Sequence, residues 1–128
     1  MTPEPEKIEL PRSKPPLSLN DRLHWRVKAK KVAEVRATAA TLASQHGIPP
    51  MERAVVWLHY RPRDKRARDT ANLHATLKPL TDGLVDAGVL TRGDSCEYVE
   101  ERCRIHPPIP GQPGALWLEL ADPEGIAP

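Results

Sequence analysis

The chain has no phenylalanine and only five other aromatic residues, three Trp and two Tyr, so aliphatic side chains must fill most of its core. It has no apolar run near the roughly 20 residues that cross a bilayer, and its acidic, proline-rich start is not a secretory signal. Two cysteines in such a chain predict reduced thiols rather than a disulfide framework. These absences exclude a membrane-spanning or disulfide-stapled protein and favour one cytoplasmic domain.

Net charge is almost absent as well, because 19 Lys and Arg face 17 Asp and Glu, which leaves +2. The charges are nevertheless separated along the chain. Residues 1–68 carry fifteen basic and seven acidic side chains, a balance of +8, whereas residues 69–128 carry four and ten, a balance of −6. A basic half suits a polyanionic partner, and an acidic half promotes solubility.

Proline content divides the chain into a folded body and two tails. Residues 1–16 contain five prolines and are predicted as a tail with a short strand at residues 8–10. Residues 17–121 are predicted as the folded domain, and residues 122–128 as a second tail. At 128 residues, one domain with its own core is expected.

Hydrophobic spacing within the body predicts two helices and three strands. The helices are expected at residues 22–46 and 69–87, with Gly47 and Gly88 as their ends. Strands are expected at residues 54–60, 97–105 and 115–120. With the short N-terminal strand, the order βαβαββ predicts a small α+β (or α/β) domain with a mixed sheet and two main helices.

The second helix carries one narrow apolar stripe with 4-3-4-3 spacing, formed by Leu73, Leu77, Leu80, Leu84 and Ala87. Gly83 is expected to weaken this helix. Trp57 and Trp117 fall in predicted strands and are expected in the core. Trp25 is expected to pack at the start of the first helix.

A dense basic run precedes the second helix. Five cations occur within eight residues, namely Arg61, Arg63, Lys65, Arg66 and Arg68. Such a run is either a solvated surface or a phosphate-binding one, and its density in a chain of small net charge favours phosphate contact. Five cations in or before the first helix are predicted to extend this surface: Arg22, Lys28, Lys30, Lys31 and Arg36.

Two carboxylates near the basic run each have two interpretations. Asp69 stands where a helix N-cap belongs, and Asp is among the best caps. Asp94 lies in a Gly-Asp turn, where Asp is a common turn residue. Both carboxylates are also the oxygen ligands that Mg²⁺ prefers.

Several separated motifs, in the same order and with similar gaps, resemble RusA-type Holliday-junction resolvases of phages and prophages. They are residues 65–73, which contain Arg-Asp-Thr-Ala-Asn, residues 82–90, the acidic turn at Asp94, and the opening segment at residues 17–25. The resemblance spans roughly residues 8–120, which is nearly the whole chain.

The resemblance implies a homodimeric endonuclease that resolves four-way DNA junctions in recombination and repair, in a bacterial or phage-infected cell. It implies Mg²⁺ as the cofactor, with Mn²⁺ as a substitute, held by Asp69 and Asp94. Lys78, one turn after the lysine of the family pattern, would neutralise the transition state, and Asn72 matches the family's asparagine. The second aspartate of the pattern falls on Ala71, which implies weakened catalysis.

Two other functions remain open from the sequence. One is a non-catalytic protein that binds branched DNA on the same scaffold. The other is a small basic RNA-binding protein, which would show no preference for junctions over duplex.

Overall fold

The computed structural model describes residues 5–18, 22–66 and 68–123. Its elements in chain order are β1 (Glu6–Glu9), α1 (Trp25–His46), β2 (Ala54–Arg61), α2 (Thr70–Asp86), β3 (Val99–Ile105) and β4 (Ala115–Ala121). This βαβαββ order confirms the prediction. Most of the turn predicted before α1, at residues 19–21, and most of the C-terminal tail, at residues 124–128, lie outside the described residues.

The four strands form one mixed sheet in the order β1-β4-β2-β3. Strands β2 and β3 are parallel, whereas β4 is antiparallel to both β1 and β2. A parallel pair needs a crossover connection, and α2 lies in the connection from β2 to β3. The fold is therefore α+β, with a mixed sheet and two helices.

Strand β1 belongs to the folded body, although its segment was assigned to the N-terminal tail. It pairs with β4 along its whole length, and Ile8 is fully buried. The folded body therefore begins well before residue 17. Proline density indicated a loose tail here, but prolines on either side of a short edge strand do not interrupt its pairing.

The core lies between the two helices and one face of the sheet. Strand β2 contributes Val56, Leu58 and Tyr60, which alternate with residues on the other face. The stripe of α2 is buried as predicted at Leu73, Leu77, Leu80 and Leu84. Each such leucine contributes about 2 kcal/mol of transfer free energy. No helix in the described ranges has the length and apolarity that a bilayer span requires.

Helices α1 and α2 meet at Gly83, which explains the glycine inside α2. A Cβ atom at Gly83 would lie 2.2 Å from the Arg36 carbonyl oxygen and 2.8 Å from Ala39 Cβ. A bidentate ion pair closes the same contact, since Arg36 Nε and Nη2 lie 2.6 and 2.8 Å from the Asp86 carboxylate oxygens. Gly83 thus weakens α2 locally but lets the helices touch.

The three tryptophans are less buried than the sequence predicted. Trp57 and Trp117 are half-buried and lie outside the core cluster, because their strand neighbours Leu58 and Leu118 point into it. Trp25 is 68% exposed at the first residue of α1, so the prediction that it packs there was wrong.

We expect Gly83→Ala to destabilise the protein by about 1–3 kcal/mol, because the added methyl group must separate α1 from α2. Chemical denaturation followed by circular dichroism measures the change. Thr41→Ala, at an exposed position of α1, is the control and should stay within about 0.5 kcal/mol of the parent. Equal stabilities for both variants would contradict the close helix contact.

Candidate nucleic-acid interface

The basic loop, residues 62–68, leaves the carboxyl end of β2 and leads into the first turn of α2. Both flanking elements are anchored in the core, through Tyr60 and Leu73. Loops held in this way by rigid elements commonly carry binding residues. The position of the basic loop therefore follows from the β2-to-α2 crossover.

Asp64 organises the cations of the basic loop. Its carboxylate accepts hydrogen bonds from Arg66 Nε at 3.1 Å, Arg66 Nη2 at 2.9 Å and Arg68 Nη2 at 2.7 Å. The Arg66 backbone N–H donates to the same carboxylate at 3.2 Å. These donors hold the pKa of Asp64 well below its usual range. A lone acid inside a basic run was the sequence signal for this role, and it was missed.

Arg68 points inward, whereas its neighbours point outward. Its Nη1 donates to the carbonyl oxygens of Asp64 at 3.0 Å and Arg66 at 2.6 Å, and its guanidinium lies 5.9 Å from the Tyr60 ring centroid. The side chains of Arg63 and Arg66 are 74% and 72% exposed, and Lys65 is exposed too. Arg68 therefore shapes the loop, and the other three cations are accessible to a partner.

Lys14 lies between the basic loop and α1. It lines a cavity of about 590 Å³ together with Arg68, Asp69 and Asn72, and a cavity of about 370 Å³ with Arg63 and Arg66. A third cavity, also about 590 Å³, places Lys14 beside Arg12 and Lys31. We call the resulting surface the basic strip, defined by Arg12, Lys14, Lys31, Arg63, Lys65, Arg66 and Arg68.

The segment that carries Lys14 is fixed at its far end. Leu17 is buried, its N–H donates to Thr76 Oγ1 at 3.3 Å, and its carbonyl oxygen accepts from the same hydroxyl at 3.0 Å. Pro15 and Pro16 favour an extended backbone before it. Arg12 and Lys14 were missed because the segment was assigned to a tail. Its proline pair followed by an apolar residue was the available signal.

The remaining predicted cations are separate from these cavities. Arg61 ends β2, and its buried Nε has no hydrogen-bond partner among the described residues. Arg22, Lys28 and Lys30 are exposed before and along the first turns of α1. The cavities thus bring Lys31, Arg63, Arg66 and Arg68 together with Lys14, and Lys65 lies between them in the basic loop. Arg36 pairs with Asp86 instead, so the prediction that it extends this surface was wrong. The other predicted cations lie outside the group.

Asp69 is the N-cap of α2, as one interpretation of the sequence predicted. Its Oδ1 accepts a hydrogen bond from the Ala71 backbone N–H at 2.9 Å. Asn72, which lines the cavity shared by Lys14, Arg68 and Asp69, accepts a hydrogen bond on Oδ1 from the Ser18 hydroxyl at 3.4 Å. Ala71 is exposed in the same turn.

Lys78 and Asp94 also lie together, but their third partner is Asp82 and not Asp69. The Lys78 ammonium forms a close ion pair with Asp94 and lies 3.0 Å from Asp82 Oδ1. Asp82 is half-buried in this cluster. Asp69 precedes Lys78 by nine residues, roughly 14 Å of helical rise.

The Mg²⁺ site that the resemblance implied is incomplete in this chain. Asp94 is paired with the ammonium group of Lys78, and Asp69 caps the start of α2, nine residues before Lys78. Within the described ranges, no group of three or more His, Cys, Asp or Glu side chains is placed to hold a metal ion. Alanine at position 71 removes a carboxylate from the turn where the family pattern has one.

Comparison with known proteins adds a relative but no activity. No family model matches the chain. An uncharacterized protein of Xylella fastidiosa (strain Temecula1) is 31% identical over 87 residues, which cover 64% of this chain and 57% of the relative. The chain therefore spans little more than half the length of the curated relative that it matches.

We expect Asp64→Asn to loosen the basic loop, because a neutral amide binds the guanidinium groups of Arg66 and Arg68 more weakly than a carboxylate does. Amide hydrogen exchange measures this directly, since the Arg66 N–H donates to Asp64. Exchange at Arg66 should accelerate while exchange in β2 stays unchanged. Glu52→Gln, at an exposed position before β2, is the matched control. Unchanged exchange at Arg66 in the Asp64 variant would contradict the organising role of this carboxylate.

Proposed function

We propose that this chain is a RusA-type protein that binds four-way DNA junctions through the basic strip, and that its Mg²⁺-dependent cleavage is impaired. Its setting would be DNA recombination and repair in the cytoplasm of a bacterial or phage-infected cell, where it would act as a homodimer. The observation that carries the proposal is the set of exposed cations ordered by Asp64 beside the start of α2.

The basic strip is suited to phosphates rather than to bases. Arg63, Lys65 and Arg66 present charged groups to solvent from a loop whose backbone is held by Asp64 and Arg68. Guanidinium groups bind phosphate oxygens in bidentate geometry, and such contacts carry no direct sequence information. A pre-ordered loop loses less conformational entropy on binding, which increases affinity. Recognition would therefore depend on the path of the DNA backbone.

Impaired cleavage follows from the arrangement of carboxylates. Hydrolysis of a phosphodiester by this class of enzyme needs a metal to activate water and to stabilise developing charge. Here Asp94 and Asp82 share the ammonium group of Lys78, and position 71 lacks a carboxylate. The proposal therefore assigns DNA binding to the chain as it stands and treats nuclease activity as reduced. If the nuclease activity is lost altogether, the chain is the non-catalytic branched-DNA-binding protein that the sequence also left open.

Arg66→Ala tests the binding site by salt dependence. We expect the parent to bind a four-way junction more tightly than a linear duplex of the same sequence, with an affinity that falls steeply as salt rises. Loss of one phosphate contact should weaken binding and reduce the slope of log K against log salt by about 1. Fluorescence anisotropy over a salt series measures both quantities.

Arg53→Ala is the matched control, because Arg53 is an exposed arginine whose guanidinium lies 5.6 Å from the Tyr98 ring, apart from the basic strip. Its slope should equal that of the parent. Equal affinity for junction and duplex would contradict junction binding. Tighter binding to a structured RNA than to the junction would support the RNA-binding alternative instead.

A further inference from the structure

The face of the sheet opposite the core carries a group of basic side chains where β2 and β3 end. Arg61 is the last residue of β2 and alternates with the core residue Tyr60, so it lies on the opposite face. The register pairs His59 with Arg104. The His106 N–H donates to the Tyr60 carbonyl oxygen at 2.8 Å, which continues this pairing and brings His106 beside Arg61. We call Arg61, Arg104 and His106 the Arg61 site.

The two arginines of the Arg61 site have no carboxylate partner. Arg61 is half-buried, and its fully buried Nε makes no hydrogen bond with any described residue. Among the described residues, the ion pairs of this face are Lys7–Glu9, Arg102–Glu100 and His59–Glu119. A buried N–H group without an acceptor and neighbouring like charges both cost folding free energy. An anion bound between the two guanidinium groups would offset both costs.

A chain of three side chains fixes the third member of the site, His106. His59 Nδ1 lies 2.8 Å from His106 Nε2, and His59 Nε2 lies 3.5 Å from Glu119 Oε1. A ring N–H that faces a carboxylate is favoured over a lone pair, so Glu119 assigns the proton of His59 to Nε2. His59 Nδ1 then accepts the hydrogen bond from His106 Nε2. His106 Nδ1 is therefore the ring nitrogen without a proton.

We propose that Arg61, Arg104 and His106 bind a phosphate group on this outer face of the sheet, separately from the basic strip. Guanidinium groups bind phosphate oxygens in bidentate geometry. Space for the ligand lies over β4, because the residue opposite Arg61 on that strand is Ala115, whose side chain is a single methyl group.

A DNA backbone is one source of the phosphate, and a free phosphate or a phosphorylated small molecule is the other. Arg61 directly precedes the basic loop, so a backbone that contacts that loop can continue onto the outer face. The choice of DNA as the source rests on the proposed function. The binding of a phosphate group does not.

The charges around His106 couple phosphate binding to proton uptake. Burial lowers the pKa of His59 and of His106, and Arg104 lowers both further. Lys7 also lowers the pKa of His59, and Arg61 that of His106, whereas Glu119 acts in the opposite direction on both. A bound anion offsets the positive charge of the two arginines. The pKa of His106 therefore rises when the site is filled, and affinity increases as pH falls.

Nuclear magnetic resonance of the histidine rings tests the site, with sulfate as the probe. Sulfate has the tetrahedral shape of phosphate and keeps its charge over the range in which histidine titrates. Without sulfate, the nitrogen shifts should show His106 protonated at Nε2 and bare at Nδ1. Sulfate that replaces chloride at constant ionic strength should shift the His106 resonances saturably and raise the pKa of His106.

Variants on two strands separate the site from general charge effects. Arg61→Gln and Arg104→Gln should each weaken sulfate binding about tenfold, because each removes a charged hydrogen-bond donor. The pair also keeps the test valid if one variant does not fold, with circular dichroism as the check. Arg102→Gln is the matched control, since Arg102 lies on β3 but is ion-paired with Glu100. It should leave the affinity unchanged, as should Arg66→Ala in the basic strip.

The outcomes distinguish this site from the proposed function. A parent without a saturable His106 response, or an equal loss of affinity in Arg102→Gln, would overturn the site. If DNA supplies the phosphate, Arg61→Gln should also reduce the slope of log K against log salt for the four-way junction by about 1. An unchanged slope beside an intact sulfate response supports the site with a free phosphate as its ligand. A parent that responds to sulfate but binds no junction contradicts the proposed function and supports the site.

Discussion

Helices α1 and α2 approach so closely at Gly83 that no side chain fits between them, and the placement of the candidate site depends on this contact. The Arg36–Asp86 ion pair closes the same junction from the solvent side. Because α2 is the crossover from β2 to β3, its position fixes the basic loop at one end and the Asp94 turn at the other. One packing constraint thus sets where both groups of charged side chains lie.

The charged side chains at the start of α2 and those farther along it are paired in opposite ways. At its start, one carboxylate, Asp64, is surrounded by several guanidinium groups, so the basic loop stays strongly cationic while its geometry is fixed. Further along, one ammonium group, Lys78, is shared by Asp82 and Asp94, which leaves that cluster with a carboxylate in excess. The first arrangement favours polyanion binding. The second stabilises two nearby carboxylates with a lysine side chain.

Periodicity predicted the elements of the fold because both helices and the central strand have one clear apolar pattern, such as the leucine stripe of α2. The place of β1 was not predictable from its own residues, since four residues between prolines become a strand only through pairing with β4. The basic loop was found by charge density, but the roles of Asp64 and Lys14 depend on side-chain packing and on a returning segment. Ring contacts such as those of His59 and Trp117 join residues far apart in the chain, and no local pattern indicates them.

We attribute the proposed loss of cleavage on this junction-binding scaffold to the residue at position 71. Cleavage of a labelled four-way junction in Mg²⁺ and then in Mn²⁺, by the chain as it stands and by Ala71→Asp, tests it most directly. We expect both proteins to bind the junction, the first to nick it little or not at all, and the second to produce symmetric nicks. Efficient symmetric cleavage by the unaltered chain would contradict the impairment. Failure of Ala71→Asp to cut a junction that it binds would contradict the assignment of that impairment to position 71.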